Sequence, residues 1–223
     1  MSLSDLNISR IKAVVFDLDG TLYDLKKVQQ KMRFKIIRFL LRKPWKWKEI
    51  YAVYVFRKQR KKLAGQSVAN LREVEFAYVA QKVGLGIDQV ERSIEHWMEE
   101  VPLPYVSVAA YEHAQELIHS LAKKGIPFAI LSDLPTEKKV QSLGISCEYC
   151  FSAEQKEIEA LKPNPKALEL IAQHLGLRGE DILCLGDRKE LDGKMAKAAG
   201  AQFIFIPSLH AEEKYQEVIR FFE

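Results

Sequence analysis

Cysteine is scarce. Three stand among 223 residues, too few and too oddly numbered for a disulfide framework. Cys147 and Cys150 form a CxxC, but no second cysteine pair or histidine pair is spaced to complete a zinc site. The expectation is buried structural thiols in a reducing cytoplasm. Long apolar runs are missing too. The longest, Ile50 to Phe56, falls far short of the roughly 20 residues a membrane span requires. No N-terminal stretch combines a basic end, an apolar core and a small-residue cleavage site, so no secretory signal is expected. Internal repeats and low-complexity segments are absent. Acids are nearly absent from one stretch. Between Lys26 and Lys62, Glu49 is the single acid against 15 Lys and Arg, a net +14. Of the chain's 34 basic and 30 acidic residues, 19 and 29 lie elsewhere, a net −10. A basic segment sits in an otherwise acidic protein.

What is present describes a globular chain, 48% hydrophobic and 29% charged, long enough for one large domain or a domain with a sizeable insertion. Five short apolar runs predict strands: Ile11–Phe16, Pro127–Leu131, Glu148–Phe151, Ile182–Leu185 and Phe203–Ile206. Most are continuous rather than alternating, as in a parallel sheet covered on both faces. Helical patterns separate the later ones. They run from Val108 to Lys124, from Thr136 to Leu143, from Asn164-Pro165 to Leu175, from Lys189 to Ala199 and from Glu212 to Phe222. Strands alternating with helices predict an α/β fold with a doubly wound, Rossmann-like parallel sheet. From about Leu25 to Pro104 the alternation stops. Stripes Val28/Met32/Ile36/Leu40, Trp47/Tyr51/Val55, Val74/Ala77/Tyr78 and Val90/Ile94/Trp97/Met98 predict four helices and no strand. The expected organisation is a core of residues 1–22 and 105–223 with an all-helical insertion over 23–104.

The first strand runs into Asp17-Leu18-Asp19-Gly20-Thr21. Residues at i and i+2 of an extended chain point to the same side. Two carboxylates at 4 Å repel by about 4 kcal/mol at an effective dielectric of 20. A cation between them relieves that repulsion, and oxygen-only ligands suit Mg²⁺. Ligands of an open α/β sheet bind beyond the carboxyl ends of its strands. The second strand ends at Ser132-Asp133. After the third comes Lys162-Pro163-Asn164-Pro165. The fourth ends in Gly186-Asp187-Arg188-Lys189-Glu190-Leu191-Asp192. Each group alone reads as a turn or loop residue. Acid pair, hydroxyl, lysine and acid pair at four strand ends of one sheet read as a site.

This ordered set resembles the haloacid dehalogenase-like hydrolase superfamily. DLDGT is similar to its first motif, Ser132 to its second, Lys162 to its third and GDRKELD to its fourth, and the helical insertion stands where many members carry an α-helical cap. The resemblance implies that Asp17 is a nucleophile forming an aspartyl-phosphate, and that Mg²⁺ is held by Asp17, Asp187 and the backbone carbonyl of Asp19. It implies Asp19 as proton carrier for the leaving oxygen and then for the attacking water. Lys162 and Mg²⁺ would neutralise the phosphoryl charge. Ser132 and the backbone N–H groups through Gly20 and Thr21 would bind phosphoryl oxygens. Asp192 would orient a metal water or Lys162, with Glu190 as the alternative in that supporting role.

Two departures stand out. Asp133 replaces the Asn of many relatives, so it is expected to face away from a phosphate or to meet a positive partner. Arg188 directly follows Asp187 and is a candidate partner for an anion. Asp19 itself separates reaction types, because the family's dehalogenases lack a carboxylate there, having no leaving oxygen to protonate. The expectation is a phosphatase acting on a small phosphate ester, with a phosphosugar mutase as the same-chemistry alternative. A non-catalytic protein acting through its basic segment is the alternative of another class. That segment interleaves Lys and Arg with Phe34, Phe39, Trp45, Trp47, Tyr51, Tyr54 and Phe56. This suits an anionic partner or an anionic lipid surface; no nucleic acid is expected, since no recognisable module is present.

Overall fold

Five apolar segments pair into one parallel sheet in the computed structural model, which describes residues 7–222. The strands are β1 (Ala13–Asp17), β2 (Phe128–Ser132), β3 (Tyr149–Ser152), β4 (Ile182–Gly186) and β5 (Gln202–Phe205). They lie in the order β3-β2-β1-β4-β5. All five expected strands form, with ends shifted by one or two residues. The chain runs outward from β1 through β2 to β3, then returns to place β4 on the other flank of β1. The order therefore reverses at β1 and β4, where a doubly wound sheet opens its crevice.

The inner strands have apolar side chains on both faces because both faces are covered. Val14, Phe16, Ile130, Leu183 and Leu185 pack with α6 (Glu112–Lys123) and α10 (Ala211–Phe222). Ala13, Val15, Leu131, Ile182 and Cys184 pack on the other side with α8 (Lys166–His174) and α9 (Lys194–Ala198). α7 (Glu137–Ser142) follows β2. The expected helix over Val108–Lys124 is divided: it breaks at Ala109–Tyr111, where the chain crosses the loop after β1 through Asp24 N–H to the Ala109 carbonyl (2.8 Å) and Tyr111 N–H to the Leu22 carbonyl (3.1 Å). The expected helix from Lys189 begins as a π turn, Lys189–Gly193. Cys184 is buried as expected, but Cys147 and Cys150 are only half-buried, since β3 is an edge strand.

Between β1 and α6 lie five α-helices and, among the described residues, no strand: α1 (Leu25–Arg42), α2 (Trp47–Leu63), α3 (Leu71–Val83), α4 (Ile87–Ile94) and α5 (Leu103–Val108). Their core joins Ala52, Val55 and Phe56 of α2 to Phe76, Val79 and Val83 of α3 and Val90 and Ile94 of α4. Two expected stripes are corrected here. In α1 only Val28 is fully buried. In α2, Val55 is buried but Trp47 and Tyr51 are exposed, because α3 and α4 pack against the neighbouring stripe of Ala52, Val55 and Phe56. No helix is long and apolar enough to cross a membrane among the described residues.

Candidate active site

β1 delivers Asp17 as its last residue, and the chain then turns sharply. Leu22 N–H reaches the Leu18 carbonyl at 3.1 Å, and the Tyr215 hydroxyl of α10 holds the Thr21 carbonyl at 2.9 Å. Gly20 sits at φ +100, and a Cβ there would fall 2.3 Å from Asp187 Oδ2. Only glycine supplies both the backbone conformation and the room.

Asp17 is buried. Its Oδ1 accepts from Lys162 Nζ at 2.6 Å and its Oδ2 from the Thr21 hydroxyl at 2.8 Å. Lys162 Nζ also donates to Asp192 Oδ1 (2.8 Å) and the Leu131 carbonyl (3.2 Å), so the ammonium's three protons are all used. Burial pulls its proton affinity down, but Asp17, Asp192 and Asp133 outweigh burial and raise it, so the ammonium stays charged. Asp192 Oδ2 accepts from Arg188 N–H at 3.1 Å. Asp192 thus stands beside Lys162, where the expected supporting role would place it. Glu190, the expected alternative, is exposed on the π turn, which directs Asp192 inward instead.

Asp17, Asp187 and Asp192 each offer a carboxylate oxygen within 4.8 Å of the others. Among the described residues Asp187 Oδ1 is buried without a hydrogen-bond partner, although Arg188 Nε approaches to 3.4 Å. Burial pushes the Asp187 carboxyl up to about 6 and the Asp17 carboxyl up to about 7. A buried orphan oxygen among three carboxylates is the arrangement a hard cation relieves, and an all-oxygen set fits Mg²⁺.

Asp19 stands outside that cluster. Its Oδ1 accepts from Lys139 Nζ at 2.6 Å and from the Tyr23 hydroxyl, and its Oδ2 from the Ser132 hydroxyl at 3.2 Å. Burial works to raise its carboxyl, but Lys139, Tyr23 and Ser132 prevail and hold it below the ordinary value. Sequence reasoning missed both Lys139 and Tyr23. Tyr23 is four residues past Asp19, a visible signal. Lys139 follows Glu137 and Lys138 in a charged run that reads as solvent-facing. Asp133 meets a positive partner: its Oδ2 lies 3.9 Å from Arg188, while its Oδ1 accepts from Lys162 N–H (3.0 Å).

The helices between β1 and β2 touch this edge. Arg60 of α2 donates to the Asp133 carbonyl and to Glu154, and both its Nε (3.1 Å) and its terminal nitrogen (2.9 Å) reach Glu75 of α3. The 64–70 segment pairs with the loop carrying Lys162 through Gly65 N–H to the Leu161 carbonyl (3.2 Å) and Val68 N–H to the Glu159 carbonyl (2.9 Å).

A model of haloacid dehalogenase-like hydrolases matches residues 11–200. Haloacetate dehalogenase H-2 of Moraxella sp. (strain B) is 27% identical over 212 residues, 89% of this chain and 87% of that protein. A phosphoglycolate phosphatase of Pectobacterium atrosepticum is 30% identical over 93 residues, a stretch spanning 40% of this chain and 39% of that relative. The 2-haloacid dehalogenase of Pseudomonas syringae pv. Tomato DC3000 shares the fold at a TM-score of 0.60 and 19% identity, over 87% of this chain and 86% of that one. A family match of that extent, over a parallel sheet with these groups at its strand ends, leads to one conclusion: the chain belongs to the haloacid dehalogenase-like hydrolases.

Proposed function

We propose that the protein is a Mg²⁺-dependent phosphatase that hydrolyses a small phosphate monoester through a phosphorylated Asp17, with residues 23–104 as its cap. The observation that carries this reading is the Asp19 carboxylate beside Asp17, held by a hydroxyl, a phenol and an ammonium. Ester cleavage needs a proton at the leaving oxygen, whereas carbon–halogen cleavage does not. In the first step an Asp17 oxygen attacks phosphorus, the ester P–O bond breaks with its electron pair on the leaving oxygen, and Asp19 passes that oxygen a proton. Asp19 must carry that proton when the ester is bound, and Lys139 and Tyr23, which both donate to it, hold the carboxyl in place. In the second step Asp19 takes a proton from water as the water displaces Asp17 and frees inorganic phosphate. Lys162 keeps Asp17 in place and offsets charge on the transferring group, and Asp192 keeps Lys162 in place. Ser132 and the N–H groups through Gly20 and Thr21 hold phosphoryl oxygens. Asp17, Asp187 and the Asp19 carbonyl would hold Mg²⁺, which would further neutralise the phosphoryl charge. Three unpaired cysteines suit a reducing cytoplasm.

The second reading is dehalogenation of a haloacid by the same Asp17, favoured by the likeness to the Moraxella enzyme over most of both chains. The decisive experiment follows phosphate release from an aryl phosphate with and without Mg²⁺, in wild type and Asp17→Asn. The expected result is Mg²⁺-dependent release that drops about 1,000-fold or more in the variant. Equal activity in both would refute the mechanism. Halide release from haloacetate with no phosphatase activity would favour the second reading, and a sugar bisphosphate requirement would identify a mutase.

A further inference from the structure

We propose that the hairpin of α1 and α2 docks the protein on an anionic lipid surface. The outer face of α1 carries Phe34, Ile37 and Leu41, an i, i+3, i+7 stripe that no other element covers among the described residues; Leu41 is 81% exposed. Trp45, in the turn between the helices, is 71% exposed. On α2, Trp47, Tyr51 and Tyr54 form a second exposed stripe, their rings spaced 6.0 and 6.1 Å apart along the helix. The α2 stripe is not a failed core face, because Ala52, Val55 and Phe56 already pack α2 against α3 and α4. An apolar patch of this kind on a folded surface marks an interaction site.

Charge selects the partner. The patch lies within the +14 segment of a protein that is otherwise −10. Exposed Lys31, Lys35, Arg38, Arg42 and Lys43 interleave with the α1 stripe and the turn, and the segment's one acid, Glu49, is paired with Lys46 at 2.7 Å. Aliphatic side chains with Trp and Tyr suit the boundary between headgroups and acyl chains, and the surrounding cations suit lipid phosphates. A polynucleotide would use the charge, but it has no use for Ile37 and Leu41. A symmetric second copy would bring +14 against +14.

Geometry keeps the contact away from the chemistry. Both feet of the hairpin stand at the candidate site: Asp24 N–H bonds the Ala109 carbonyl (2.8 Å), Arg60 holds the Asp133 carbonyl, and Gly65 N–H holds the Leu161 carbonyl (3.2 Å). At about 1.5 Å per residue, helices of this length carry the Trp45 turn about 25 Å from those feet. The tip meets the bilayer while the strand-end groups remain at the base.

The test is co-sedimentation with vesicles of phosphatidylglycerol and phosphatidylcholine, against pure phosphatidylcholine, at low and high salt. Wild type is expected to bind the anionic vesicles at low salt, to release at high salt, and to ignore the neutral ones. Each basic residue near such a surface is worth about fivefold in affinity, so Lys35→Gln/Arg38→Gln/Arg42→Gln loses about a hundredfold. Leu41→Ser/Trp45→Ser, with charge unchanged, loses at least about tenfold. These side chains are exposed, so thermal melts of both variants should match wild type. No association with anionic vesicles at low salt overturns the proposal. So does undiminished binding by Leu41→Ser/Trp45→Ser, which would leave charge alone as the cause. So does a dimer that this variant abolishes without any vesicle binding. Binding is read without turnover, so it stands or falls separately from the phosphatase reading.

Discussion

A carboxylate held between a lysine and a tyrosine does not keep its proton as a free one does. Lys139 and Tyr23 both donate to Asp19 and, with Ser132, hold it low against the opposing effect of burial. Lys139→Met removes the largest of those restraints and leaves burial dominant, so the Asp19 carboxyl rises. In the phosphatase reading, the limb of the pH–rate profile that reports this carboxylate moves to higher pH. A profile that keeps its limbs while only its height changes would make Lys139 a packing residue. Gly20 offers a second test at this scale. A methyl group at φ +100, 2.3 Å from Asp187 Oδ2, is strained and displaces that carboxylate. Gly20→Ala is expected to cost about 1–3 kcal/mol of stability in denaturant melts and to raise the Mg²⁺ concentration needed for half-maximal activity.

At the scale of elements, the strands were legible because a doubly covered parallel strand must be apolar at nearly every position, as Ala13–Phe16 and Ile182–Leu185 are. The helices before β2 were legible as helices but not in their orientation. α2 carries two apolar stripes, Trp47/Tyr51/Tyr54 and Ala52/Val55/Phe56, and periodicity alone does not rank them. Packing of α3 and α4 chose the smaller residues, which permit close approach. α1 is held largely by its ends, and Asp24 caps it by accepting from Lys27 N–H at 3.1 Å. Asp24→Ala should therefore cost about 1 kcal/mol. It should also speed amide hydrogen exchange in the first turn of α1 more than in α6. Uniform exchange would refute the capping role.

At the scale of the whole molecule, the helical segment and the sheet are joined by charge. Arg60 and Arg72 both reach Glu154, which follows β3, and Arg60 also pairs with buried Glu75. Burial pushes the Glu75 carboxyl up to about 7, against the pull of Arg60, from an ordinary value of 4.5. Between those values the folded chain holds a proton that the unfolded chain has released, so stability falls as pH rises through that window. Glu75→Gln removes this term. Wild-type thermal stability should lose ground to the variant from about pH 4.5 to about pH 7 and track it above; parallel curves throughout would refute the assignment.

The sequence by itself determined the sheet, the helical insertion and the strand-end groups Asp17, Asp19, Ser132, Lys162 and Asp187. These follow from local periodicity, from the rule that chemistry stands where strands end and, for Lys162 on the loop after β3, from the resemblance carried by the whole motif set. Only the tertiary structure decided that Asp192 rather than Glu190 meets Lys162, because a π turn sets which side chain points inward. It alone brought Lys139 to Asp19, 120 positions away, and left the aromatic stripe of α2 uncovered. Those outcomes depend on contacts between distant segments, which exist only once the chain has packed.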